Sequence, residues 1–99
     1  MATQQQAPSK TMTSFYRRLY VAHLIDSGID TVPAIMGHTG MPRRTAQDTI
    51  GALGEIGIRC EFCGAKKSGG YRVLDWGPIK SEWVRDNSQS IQVMLGLAQ

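Results

Sequence analysis

The chain has 99 residues, which is enough for one domain with a single modest core and leaves no room for a second. Its net charge of +3 suits a polyanionic partner without identifying one. No apolar run approaches the roughly 20 residues that span a bilayer, and the polar N-terminus lacks the apolar segment of a secretory signal. The sequence therefore predicts a cytoplasmic protein without a membrane segment.

The N-terminal residues are polar and of low complexity, which predicts a disordered arm over residues 1–12 and one domain over residues 13–99. The first helix is expected to begin at Thr13 or Ser14 and to end at Ser27 and Gly28, a capping pair.

The apolar positions of this first helix cover a wider arc than one small core requires. Arg17 and Arg18 are expected on its solvent side. The helix is therefore either almost wholly buried or partly covered by a second subunit.

A helix-turn-helix follows. The second helix runs from about Val32 to His38, with Thr31 as its cap. Gly40 offers the positive φ that a sharp turn needs, and Pro42 presets φ for the first turn of the next helix.

The third helix is predicted from Pro42 to about Ile56, where Gly57 supplies a left-handed end. Its apolar stripe is expected to face the core; the stripe consists of Ala46, Ile50, Leu53 and Ile56. The opposite side is expected to face outward and carries Arg43, Arg44, Gln47, Asp48 and Gly51. Two glycines inside this helix, Gly51 and Gly54, either permit close packing or indicate a shorter helix.

Beyond Gly57 the side chains alternate with the period of a half-buried strand. The inward set is expected to be Ile58, Cys60 and Phe62 on the first strand and Tyr71, Val73 and Asp75 on the second. The connecting segment GAKKSGG has glycines at both ends and lysines between them, which predicts a β-hairpin with a basic tip. The remainder, residues 79–99, is predicted to form one broken helix or two short ones that cover the domain or join two subunits.

The order of three helices, a hairpin and further helices predicts a mainly α winged helix-turn-helix, in which the third helix enters the major groove of DNA. Arg43 and Arg44 can donate to guanine or phosphate, and Gln47 can pair with adenine. Thr45 can donate to phosphate, whereas Asp48 would repel phosphate unless it accepts from cytosine or holds an arginine in place. The remaining candidate DNA contacts lie on the hairpin and are Lys66, Lys67, Ser68 and Arg72.

The run GMPRRTAQDTIGALGEIGI resembles the recognition helix and following turn of bacterial winged-helix regulators. More narrowly, the span from Phe15 to about Trp83 looks like a small family of bacterial winged-helix proteins whose members are mostly uncharacterised. This resemblance implies the fold and binding of double-stranded DNA, and it implies no effector or target sequence.

The cysteines Cys60 and Cys63 have the spacing of half a zinc ribbon, but a second CxxC is lacking, and His23 and His38 fall in the helical part. The expected role of the cysteines is structural, with a metal- or thiol-responsive regulator as an alternative. No catalytic constellation or phosphate-binding loop is found, so the sequence predicts neither an enzyme nor a cofactor.

Two further expectations concern partners. The apolar arc of the first helix and the apolar C-terminal segment together predict a homodimer that presents two third helices to a two-fold DNA site. The main alternative to DNA binding is a protein-interaction module, because the same fold serves both purposes.

Overall fold

The computed structural model describes residues 8–97 and confirms a mainly helical winged-helix architecture. The elements in chain order are α1 (Lys10–Asp26), α2 (Val32–Thr39), α3 (Arg43–Gly51), a 3₁₀ turn (Leu53–Ile56), β1 (Arg59–Cys63), β2 (Gly70–Asp75), α4 (Ser81–Asp86) and α5 (Ser88–Leu95). Within the described residues, no helix has the length and apolar character needed to cross a membrane.

Helix α1 begins earlier than the sequence predicts. Its cap is Ser9, whose hydroxyl oxygen accepts a hydrogen bond from the amide of Met12 at 3.1 Å, so Lys10 is the first helical residue. The last three residues of the predicted disordered arm, residues 10–12, are therefore helical. Residues 1–7 of that arm lie outside the described residues.

The core forms around the second half of α1, which contacts α3, α4, α5 and β2. Six residues of α1 are buried: Leu19, Tyr20, Val21, Ala22, Leu24 and Ile25. The wide apolar arc is thus largely covered within the chain. The expectation that Arg18 faces solvent is wrong, because its side chain is only 21% exposed and its guanidinium lies 3.4 Å from the carboxylate of Glu55.

Helix α3 is shorter than predicted. It ends at Gly51, and Ala52 donates its amide to both the Asp48 and Thr49 carbonyls, which tightens the chain into the 3₁₀ turn. Glycine is a poor helix former, so Gly51 favours this early end. Pro42 precedes the helix as its N-cap residue instead of standing in the first turn.

The two strands pair antiparallel, and a bulge changes which side chains face the core. Cys60 pairs with Val73 whereas Arg59 pairs with Asp75, so Leu74 falls between two partners and the alternation shifts by one residue. The predicted inward position of Asp75 is therefore wrong: Asp75 is exposed, and Trp76 packs against the core instead.

The first strand also departs from its predicted alternation at the end nearest the tip. Phe62 was expected to face inward but is exposed, and its ring meets Tyr71 edge to face at 5.1 Å between centroids. Phe62 thus packs on its cross-strand neighbour Tyr71, and it is Tyr71 that contacts the core at this level of the hairpin.

The hairpin is fixed to the helical part at both of its ends. Near the tip, the amide of Tyr71 donates to the carbonyl of Asp30 at 2.8 Å, which ties β2 to the segment before α2. At the base, Gly77 approaches the Gly57 carbonyl so closely that a Cβ on Gly77 would collide with it. These contacts set the direction of the hairpin relative to α3.

The C-terminal segment forms two short helices and not one broken helix, which were the two predicted alternatives. Val84 of α4 and Ile91 of α5 are buried in the same core as α1. The segment therefore belongs to the domain, although Trp83 and Val93 remain exposed.

Candidate nucleic-acid interface

The turn between α2 and α3 is built as the sequence predicts. The hydroxyl oxygen of Thr31 accepts from the amide of Ala34 at 3.1 Å and caps α2. Gly40 has a φ of 80° and donates its amide to the Met36 carbonyl, which ends α2.

The turn is also stabilised by a buried hydroxyl that the sequence did not predict. The buried hydroxyl of Thr39 donates to the Ile35 carbonyl at 2.7 Å and accepts from the amide of Met41 at 3.1 Å. Met41 is itself buried, so the turn is held both by hydrogen bonds and by an apolar anchor. The two helices consequently meet at a fixed angle.

Helix α3 has an apolar inner side and a polar outer side. Ala46 and Thr49 are buried, and the Thr49 hydroxyl donates to the carbonyl of Thr45 at 2.7 Å. The predicted outward residues of this helix are all exposed: Arg43, Arg44, Gln47, Asp48 and Gly51. The outer side can therefore present hydrogen-bonding groups to a partner.

One ion pair lies on that outer side. The Nε of Arg44 and the Oδ2 of Asp48 are 3.9 Å apart, and the two side chains are 90% and 76% exposed. A pair this long and this exposed contributes little to stability. Arg44 is thus free to exchange Asp48 for another acceptor, and Thr45 stands half-buried beside it at the start of the helix.

The tip of the hairpin is a tight turn that exposes its lysines. The amides of Ser68 and Gly69 donate to the Ala65 carbonyl at 3.2 and 2.6 Å, and Lys66, Lys67 and Ser68 are exposed. The lysines border a cleft of about 340 Å³ whose other wall includes the first residues of α2. The basic tip therefore lies beside the start of α2.

A larger groove of about 470 Å³ separates α3 from β1. Gln47, Gly51 and Gly54 line it on the helical side, and Arg59 and Glu61 line it on the strand side. The Arg59 guanidinium lies 3.5 Å from the Glu61 carboxylate. Arg59 was not among the predicted site residues, although the strand alternation already placed it outward.

Arg72 occupies a different position from the other candidate contacts. It borders a separate cleft with Asp26 and Asp30, and it pairs across the hairpin with Glu61. Arg72 thus stands among carboxylates and does not itself line the groove that borders α3.

The two cysteines are free thiols, and both are half-buried. Burial raises the pKa of the Cys60 thiol, and this thiol packs against the core. A raised pKa favours the protonated thiol, which is the less reactive form. Among residues 8–97, no three His, Cys, Asp or Glu side chains come together as a metal site would require.

Comparison with known proteins identifies the fold family. The family described as winged helix-turn helix matches residues 10–95. The crystal structure of a DUF2131 family protein from Shewanella amazonensis SB2B superposes with a TM-score of 0.85 at 38% sequence identity, covering 92% of this chain and 91% of that one. No curated protein matches the chain. The winged helix-turn helix fold supports a DNA-binding role in general, and a family match over most of the chain shows that this protein belongs to the winged helix-turn helix family.

Proposed function

We propose that this protein is a transcriptional regulator of the bacterial cytoplasm that binds duplex DNA, with α3 in the major groove and the hairpin on the phosphate backbone. The observation that carries the proposal is the outer side of α3, where Arg43, Arg44 and Gln47 stand exposed on a helix that the turn holds at a fixed angle. A helix that is apolar behind and hydrogen-bonding in front is what major-groove recognition requires.

Within this proposal the residues of α3 have distinct roles. Arg43 and Arg44 donate to guanine or to phosphate, and Gln47 pairs with adenine. Thr45 donates to a phosphate beside the helix N-terminus. Asp48 holds Arg44 in the free protein and releases it on binding, which the long ion-pair distance supports.

The hairpin supplies contacts that position the protein without reading sequence. Lys66, Lys67 and Ser68 are exposed at its tip and would meet phosphate oxygens. Arg72 is the weakest of the proposed contacts, because Asp26 and Asp30 border the same cleft.

The test compares two double variants that remove the same charge. Arg43→Ala with Arg44→Ala changes the outer side of α3, whereas Lys80→Ala with Arg85→Ala removes two exposed charges from the C-terminal segment. Selection of bound sequences from a random duplex library supplies the DNA, and fluorescence anisotropy gives its affinity. We expect the α3 variant to lose about tenfold or more in affinity, since one bidentate arginine contact provides that much discrimination.

The control variant should lose far less, because its charges act only through the long-range field, which salt screens. Equal losses in the two double variants would contradict the assignment of α3. A library selection that yields no enriched duplex would contradict sequence-specific binding altogether.

The alternatives receive less support. A protein-interaction module would favour an apolar outer side on α3, whereas the exposed side chains there are polar or charged. A thiol-responsive regulator would favour a thiol of low pKa, whereas burial raises the pKa of Cys60.

We also propose that the protein is a homodimer, formed through a smaller surface than the sequence suggested. Most of the α1 arc is covered within the chain, but Met12 of α1 and Trp83 of α4 remain exposed. Met12 lies one helical turn before Tyr16, whose ring lies 6.5 Å from that of Trp83. An apolar patch shared by the first helix and the C-terminal segment suits an isologous contact, which would present two copies of α3 to a two-fold site.

Sedimentation equilibrium tests the dimer. Trp83→Glu should shift the protein toward monomer, whereas Leu74→Glu, at a similarly exposed apolar position on the hairpin, should not. A native protein that sediments only as monomer at micromolar concentration would contradict the dimer.

A further inference from the structure

We propose that one sugar–phosphate strand of the bound duplex lies in the groove between α3 and β1, in close approach to the main chain at Gly51. This inference rests on the proposed DNA binding and adds Gly51, Gly54, Arg59 and Glu61 to the interface. It makes the groove, and not only the helix and the tip of the hairpin, a determinant of affinity.

The surface of α3 tapers toward the groove. Arg43, Gln47 and Gly51 follow one another at intervals of four residues and so form one row along the helix. The side chains in this row shorten from arginine to glutamine to none. A partner that contacts the whole row must come nearest to the helix axis at Gly51, which is the part of the row that borders the groove together with Gln47.

The fold itself gives no reason for glycine at these positions. Neither Gly51 nor Gly54 has a positive φ, and a Cβ at either would meet no atom within 4 Å. Glycine weakens a helix relative to alanine, and α3 ends early at Gly51. Open surroundings do not by themselves distinguish these positions, since Gly37 of α2 is equally open. Gly51 and Gly54 differ from Gly37 in lining the groove, where a close approach of another molecule would require glycine.

The lining of the groove is part polar and part apolar. Leu53 and Ile58 lie beneath it and are each only 1% exposed, whereas Ile50, Cys60 and Tyr71 line it half-buried. Polar side chains of α3 and β1 share the same lining. A sugar–phosphate strand presents apolar sugar carbons as well as charged phosphate oxygens, so a mixed lining is compatible with it.

The β1 side of the groove carries one charge that attracts a phosphodiester and one that repels it. Arg59 is exposed and can donate to phosphate, and Gln47 faces it from α3. Glu61 holds Arg59 at 3.5 Å in the free protein and would repel the strand. The carboxylate of Glu55 is turned toward Arg18 of α1. Glu61 is therefore the carboxylate in the groove that limits affinity.

The first test places the same bulky neutral side chain at two glycines. Gly51→Gln obstructs the groove, and Gly37→Gln adds the same group to α2 at a helical position where a Cβ also meets no atom within 4 Å. The two variants have identical composition and charge. We expect both to unfold at or above the temperature of the native protein, because glutamine is the better helix former. We expect Gly51→Gln to lose about tenfold or more in duplex affinity, because its side chain occupies the groove. Gly37→Gln should remain within about threefold of the native protein.

The second test uses charge in the opposite direction. Glu61→Gln removes the opposing carboxylate, and Glu82→Gln removes an equal charge from α4. Glu61→Gln should raise duplex affinity by at least about threefold more than Glu82→Gln does, because it frees Arg59 for phosphate. Its gain should be largest at low salt.

The outcomes separate this inference from the proposed function. If Arg43→Ala with Arg44→Ala weakens binding while Gly51→Gln binds as tightly as Gly37→Gln, DNA binding stands and the groove assignment is overturned. The groove assignment is also overturned if Glu61→Gln and Glu82→Gln have the same effect. If the native protein binds no duplex, the proposed function fails first and the inference fails with it.

Discussion

Glycine has two different roles among the residues of this fold. Gly77 has a φ of 59°, and a Cβ there would run into the Gly57 carbonyl at the base of the hairpin. Gly37 lies in α2 with ordinary helical geometry and open space around it. The backbone conformation and the close carbonyl require glycine at Gly77, whereas Gly37 weakens a helix and no contact requires it.

Alanine at the two glycines should therefore change stability in opposite directions. Gly37→Ala is expected to raise the free energy of unfolding by about 0.5–1 kcal/mol, because it adds helix propensity and restricts the unfolded chain. Gly77→Ala is expected to lower it by roughly 2 kcal/mol or more, since the left-handed conformation and the close carbonyl both oppose a side chain. Chemical denaturation measures both. A neutral result at Gly77 would contradict the close approach at the base of the hairpin.

His23 gives the stability of the protein a pH dependence of known sign. Burial lowers its pKa from the ordinary value near 6.5; Asp26 opposes this shift, and Arg85 and His38 add to it. Because the folded protein resists the proton that the unfolded chain accepts, stability falls as pH drops through about 6.5. The loss stops growing below the lowered pKa of the folded state, and above pH 6.5 this group adds no slope.

His23→Gln should flatten that part of the profile. The measurement is the free energy of unfolding between pH 5 and 8, in steps that bracket the ordinary histidine pKa of about 6.5. His38→Gln, at an exposed position of α2, should keep most of the slope. An unchanged slope in His23→Gln would mean that other groups cause the acid sensitivity.

At the scale of elements, α3 shows what periodicity can and cannot predict. The spacing of Ala46, Ile50, Leu53 and Ile56 fits one helix, and the structure keeps these residues on the core side. The helix nonetheless breaks at Ala52 into a 3₁₀ turn. Periodicity records which side is buried, and a 3₁₀ turn of four residues preserves that side while changing the hydrogen bonds.

The hairpin shows a second limit of the same kind. Both strands and the basic tip were predicted correctly, but the bulge at Leu74 moved Trp76 into contact with the core and left Asp75 exposed. A period-two pattern carries no signal for one added residue: unbroken alternation from Val73 places Asp75 inward and Trp76 outward, and the bulge reverses both.

Helix α4 is expected to contribute to stability out of proportion to its six residues. Val84 is fully buried against the helical core, so Val84→Ala removes two methyl groups from a packed site. We expect a loss of about 1–3 kcal/mol in the free energy of unfolding. Val93→Ala, at the most exposed apolar position of α5, is the control and should change stability little. Equal effects would contradict the placement of α4 in the core.

For the whole molecule, the distribution of charge predicts how DNA binding responds to salt. Lys66→Ala with Lys67→Ala should reduce the slope of log affinity against log salt concentration by about 1.8, because each lost phosphate contact removes about 0.9. The loss should be similar for different duplex sequences, since phosphate contacts carry no sequence information. Lys80→Ala with Arg85→Ala should leave the slope unchanged. A sequence-dependent loss in the hairpin variant would mean that the tip reads base edges.

The sequence by itself determined the order of the elements, the caps at Thr31, Gly40 and Gly57, and the polar outer side of α3. These depend on local chemistry: a hydroxyl that accepts from an amide, a glycine that takes a positive φ, and an apolar period that marks a buried side. The tertiary structure decided the rest. It covered most of the α1 arc with α4 and α5, and it tied the hairpin to Asp30. It also brought Arg59 and Glu61 opposite Gly51 across one groove. Residues that meet only when distant segments pack together leave no trace in the local pattern of either segment.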